Sequence, residues 1–136
     1  MIIVLSTYPD RESAGKAAMD LVEKELAACV SMIKIEDSVY RWKGKIVSDE
    51  EYLLLIKTTA KAYPRVESHI KQNHPHKMPE IVYLEVKGGQ KDYLEWVDKN
   101  SLSKLLRVPL DFKAIKRASE PSAEERRARN PSALSR

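Results

Sequence analysis

An α+β fold with the order β-α-β-β-α-β and a closing helix is what the sequence predicts. Three observations carry it. A β-branched run opens the chain, two long β-rich stretches flank one Gly-containing turn, and helical apolar patterns fall between the strands. With 136 residues and a 43% apolar fraction, the chain suits a single core. One domain over residues 1–100 is expected, with 101–136 as a C-terminal extension.

Ile2-Ile3-Val4-Leu5 is short enough for a central strand, and Ser6-Thr7-Tyr8-Pro9-Asp10 reads as the turn after it. Asp10 is placed to cap a helix from about Arg11 to Ala28. Its apolar positions Ala14, Ala17/Ala18, Leu21/Val22 and Leu26 recur every three or four residues and form one stripe. Cys29 to Trp42 is β-rich, Lys43-Gly44-Lys45 supplies a turn, and Ile46 to Thr59 returns as a second long strand. A helix from about Ala62 to Asn73 tolerates Pro64 in its first turn and directs Val66 and Ile70 inward. His74-Pro75-His76-Lys77-Met78-Pro79 breaks it, because residues before proline avoid helical geometry. Ile81 to Lys87 is the last strand, Gly88-Gly89 ends it, and Asp92 to Lys99 forms a short helix. That order is the split βαβ plan of ferredoxin-like domains.

The two long strands outrun the ~5–6 residues usual in a small sheet. Val39, Tyr40, Trp42 and Ile46 near the hairpin tip cannot all reach a monomer's core, so another chain is expected to cover them. Oligomerisation is thus expected from the pattern alone. Leu102, Leu105, Leu106, Val108, Leu110 and Phe112 are expected to dock on the body, and the chain beyond Lys113 is polar.

Composition removes several function classes. No stretch approaches the ~20 apolar residues that span a bilayer, and MIIVLST lacks the basic region of a signal peptide. One cysteine, Cys29, forms no internal disulfide framework and suits the cytoplasm; it reads as a buried structural thiol. The net charge of +4 lies mostly in the tail: residues 111–136 hold seven basic and four acidic side chains. The body is nearly neutral and lacks the aromatic pattern of an RNA-binding sheet, so no nucleic-acid partner is expected.

The chemistry-bearing candidates are few. His74 and His76 share a Pro-rich loop, and imidazoles near carboxylates bind Cu(II) or Ni(II). The Asp49-Glu50-Glu51 run reads as a solvated turn or strand edge, and the alternative is that Glu51 faces a site between subunits. His69 reads as a surface or packing residue of its helix. Lys57, closing an apolar strand, must snorkel, pair with an acid, or face an intersubunit anion pocket.

Several segments resemble the CutA family of divalent-cation-tolerance proteins. They are Leu5-Ser6-Thr7-Tyr8-Pro9-Asp10, Glu25-Leu26-Ala27-Ala28-Cys29-Val30, Ser38-Val39-Tyr40-Arg41-Trp42-Lys43-Gly44-Lys45-Ile46, Leu55-Ile56-Lys57-Thr58-Thr59, His74-Pro75-His76-Lys77-Met78-Pro79-Glu80-Ile81 and Tyr93-Leu94-Glu95-Trp96-Val97. Together they span roughly residues 2–97 in the family's order.

The resemblance implies a non-enzymatic homotrimer with hairpins paired between subunits, related in fold to PII-type signalling proteins and implicated in copper tolerance. The copper donors described for bacterial members fall here on Ser6, Asn73 and His74, of which only the histidine is retained. A Cu(II) or other divalent site is therefore expected at His74, with His76 and Glu51 as helpers. The alternative is a PII-like sensor of an anion or nucleotide, with Lys57, Ser6 and Asn73 lining a cleft. An acylphosphatase-like enzyme would need a phosphate-cradling loop with an Arg after the first strand, where this chain has Pro9.

Overall fold

The computed structural model describes residues 1–101. The expectations for Leu102 to Phe112 and for the polar stretch that follows lie outside the described residues. Seven elements appear in the order β1 (Ile2–Tyr8), α1 (Arg11–Glu23), β2 (Cys29–Trp42), β3 (Lys45–Thr58), α2 (Tyr63–Asn73), β4 (Val82–Glu85) and α3 (Lys91–Asn100). They build an antiparallel sheet ordered β2-β3-β1-β4, the topology of the split βαβ plan.

Strand periodicity divides the sheet into two faces. Ile2, Val4, Ser6 and Tyr8 of β1 and Leu54, Ile56 and Thr58 of β3 are buried beneath the helices. Ala14, Ala17 and Leu21 of α1, with Val66 and Ile70 of α2, close that core. The opposite face carries Ile3, Leu5, Leu53, Leu55 and Leu84, which lie half-buried or exposed, with no further layer among the described residues. Thr58 sits at the core edge, where its hydroxyl donates to the Leu26 carbonyl at 2.6 Å.

Three boundaries differ from the sequence reading, each for a physical reason. β1 continues through Ser6, Thr7 and Tyr8, because pairing with Leu54, Leu53 and Tyr52 overrides their turn chemistry. α1 starts as expected, with the Asp10 carboxylate accepting from the Ser13 amide at 2.7 Å. It stops at Glu23 rather than Ala28 because Glu25 takes a left-handed φ of 57°. The Leu26 amide then donates to the Leu21 carbonyl at 2.9 Å and the Glu25 amide to Val22 at 3.0 Å, a Schellman closure built without glycine. β4 is confined to Val82–Glu85, where Ile2–Leu5 of β1 supply its partners.

β1 stops pairing at Tyr8–Tyr52, so the rest of the β2–β3 hairpin is a two-stranded arm. Its register shifts between Ile35 and Ser38, and Lys43 and Gly44 turn it at φ 48° and 77°, the signs a two-residue type I′ loop requires. Val39 and Ile46 on this arm are 69% and 71% exposed, while Tyr40 and Trp42 are half-buried.

Candidate functional site

The end of β1, the end of α2 and the base of the arm converge on the His74–Glu80 segment. His74 closes α2, its amide donating to the Ile70 carbonyl at 2.8 Å, and Pro75 forces it into an extended conformation (φ −76°, ψ 138°). Its side chain is only 4% exposed and packs on the Tyr8 ring, with centroids 4.3 Å apart. Nδ1 accepts the His76 amide at 2.9 Å, so the proton resides on Nε2, which donates to the Thr7 carbonyl at 2.7 Å. Burial, reinforced by the neighbouring His76, pushes the His74 pKa down to about 4 against the opposing pull of the Thr7 carbonyl and Asp10.

His76 is half-buried, its ring 5.2 Å from that of His74. Burial lowers its pKa, while Glu51, Asp49 and Asp10 favour its charged form. Neither ring nitrogen of His76 takes a hydrogen bond among the described residues. The Tyr40 hydroxyl donates to Asp49, whose pKa is raised by burial and opposed by His76. Thr7 makes a second tie to the segment, its hydroxyl donating to Glu80 at 3.2 Å.

The structure thus sets the His74 and His76 rings side by side, with Glu51 acting on His76 electrostatically and no ion pair between them among the described residues. It does not bring Ser6, Asn73 and Lys57 into one cleft within a single chain. Ser6 is fully buried under the helices. The Asn73 amide turns back onto α2 and donates to the His69 carbonyl at 2.8 Å. Lys57 pairs with Ile3 and so projects from the opposite face, where it donates to Ser31 at 3.1 Å and lies 3.7 Å from the Cys29 sulfur. Cys29 is accordingly a half-buried thiol on that face rather than a core residue. His69 is buried between α1 and α2, with Nε2 3.8 Å from Asp20.

The donor set that the resemblance implies does not fit a metal in one chain. Ser6 offers a buried neutral hydroxyl, Asn73 is turned away, and both His74 nitrogens are engaged. No three His, Cys, Asp or Glu side chains gather to hold a metal among the described residues. Sequence reasoning missed Thr7, which tertiary pairing brings to His74 and Glu80, and Asp10 and Asp49, which it brings within electrostatic reach of His76; the clustering of Asp49 with Glu51 was the available signal.

Comparison with known proteins agrees with this architecture. The family model described as CutA1 divalent ion tolerance protein matches residues 2–100. The divalent-cation tolerance protein CutA of Thermus thermophilus is 44% identical over 99 residues, 73% of this chain and 96% of that protein. Its solved structure superposes with a TM-score of 0.72, covering 74% of this chain and 99% of that one. The chloroplastic CutA of Arabidopsis thaliana is 43% identical over 74% of this chain, which spans only 54% of that longer protein. The PII-like protein CutA of Nostoc sp. PCC 7120, solved in apo form, is 30% identical with a TM-score of 0.71, covering 76% and 99% of the two chains. Over residues 2–100 the chain belongs to the CutA1 divalent ion tolerance family.

Proposed function

We propose that this chain acts as a homotrimeric, non-enzymatic protein of divalent-cation tolerance that meets the cation with His76 and Glu51. The observation that carries this reading is the His76 imidazole, whose ring takes no hydrogen bond among the described residues and whose charged form the carboxylates of Glu51 and Asp49 favour. Imidazole and carboxylate together suit Cu(II). Two donors are too few for tight binding, so the remainder come from a second copy. Val39, Tyr40, Trp42 and Ile46 on the arm are the anchors of that assembly, and the apolar sheet face left without a further layer among the described residues is the surface it covers. No helix among the described residues is long and apolar enough to cross a membrane, and one half-buried thiol suits a cytoplasmic setting.

Calorimetric titration of Cu(II) into wild type, His76→Ala and Glu51→Gln tests the reading. Binding should be lost with His76→Ala and weakened at least tenfold with Glu51→Gln. Wild-type affinity in both variants would rule it out. The trimer is checked separately by light scattering, which should return three times the chain mass of 15.6 kDa.

A second reading, a PII-like anion sensor, is favoured by one feature. The Lys57 ammonium has only Ser31 and Cys29 as side-chain partners and no carboxylate among the described residues. A thermal-shift screen of inorganic anions and nucleotides against metals separates the two, and Lys57→Gln should erase any anion response.

A further inference from the structure

We infer that His74 is a positioning residue and not a metal donor: it pins the 74–80 segment to the end of β1 and thereby fixes the backbone from which His76 projects. The placement of His76 as the cation contact rests on the proposed function. The role of His74 rests on geometry alone.

Every polar atom of the His74 ring is in use. Its Nδ1 accepts from the His76 amide at 2.9 Å, and its Nε2 donates to the Thr7 carbonyl at 2.7 Å. One face of the ring lies on Tyr8, and the side chain is almost wholly buried. A metal at Nδ1 would strand the His76 amide. A metal at Nε2 would have to displace a proton and orphan the Thr7 carbonyl, which the β1 pairing leaves pointing at this ring. The two bonds divide the work: one closes the turn from residue 74 to 76, and the other ties that turn to the sheet. Thr7 reinforces the arrangement from the far end, holding Glu80 through its hydroxyl. Pro75 and Pro79 stiffen the residues between the two ties.

Nitrogen-15 NMR of the full chain, metal-free and then titrated with Zn(II), tests this. The expected result is an Nε2-protonated His74 whose nitrogens stay in place while those of His76 shift. Loss of the Nε2 proton of His74 on Zn(II) addition would overturn the inference. Two variants separate the two bonds, because Asn at position 74 presents an acceptor near Nδ1 and Gln presents a donor near Nε2. Hydrogen exchange of the His76 amide should stay slow in His74→Asn and accelerate at least tenfold in His74→Gln. Equal exchange in wild type and His74→Gln would also overturn it. If Zn(II) shifts neither histidine, the cation reading of His76 fails, while a slow His76 amide and the Nε2 tautomer still establish the pin.

Discussion

Acidifying metal-free protein from about pH 7.5 to about pH 5 should destabilise the fold, and His74 should account for a measurable share. In the folded chain this imidazole titrates at about 4, against an ordinary value of 6.5. As pH falls, the unfolded chain takes the proton first. The contribution is therefore complete above about pH 6.5, lost progressively down to about pH 4, and constant below that. A gap of about 2.5 in pKa, at ~1.36 kcal/mol per unit, corresponds to about 3 kcal/mol per chain, of which about 2 kcal/mol is gone by pH ~5. His69 and His76, also held below their ordinary range by burial, push in the same direction. The assay must therefore compare profiles. Urea unfolding of wild type and His74→Gln at fixed protein concentration, with a chelator present, should give a shallower acid loss for the variant by about 2 kcal/mol over this window. Parallel profiles would refute the reasoning, as would an NMR titration placing the His74 imidazole near its ordinary value.

Other expectations follow from the same contacts. Trp42→Ala should loosen the assembly by ~2 kcal/mol or more, seen as dissociation on dilution in light scattering. Replacing Glu25 with Gly should raise the unfolding free energy by up to about 1 kcal/mol, since the residue holds a left-handed φ of 57° at the end of α1. Gly44→Ala, at φ 77° in the arm's turn, should lower stability by about 1 kcal/mol in thermal unfolding. Thr58→Val should cost about 1–3 kcal/mol in urea unfolding, because the Leu26 carbonyl loses its buried donor.

Much of the architecture is legible in the residues, and the failures are instructive. Element order follows from the alternation of β-branched runs with helical stripes, and the arm follows from the length of its two strands. The end of α1 is not legible, because the position where glycine usually announces a helix stop holds Glu25. Ser6-Thr7-Tyr8 reads as a turn because its side chains favour turns, whereas strand pairing with Leu54, Leu53 and Tyr52 decides the outcome. At the site, the proximity of His74 and His76 is local and visible in sequence. The facing carboxylates of Asp10 and Asp49, and the Thr7 carbonyl that occupies His74, come from distant segments and carry no local signal. The parity that separates Lys57 from Ser6 becomes readable once the β1–β3 register is known, since Ile3 and not Val4 stands opposite Lys57.

The position of β1 bears on how the chain is made. It precedes the other three strands of the sheet in the chain, yet it ends up inside the sheet, with Ile2 opposite both Thr58 of β3 and Glu85 of β4. The β2–β3 hairpin closes locally as soon as it emerges. β1 gains its first partner only when residues 52–58 are out, and its second only with residues 82–85. Until then one edge of an apolar strand is open on the nascent chain, the kind of surface that recruits chaperones or neighbouring chains. Closure of the sheet depends on contacts some eighty residues apart, so it should be slower than closure of the local β2–β3 hairpin.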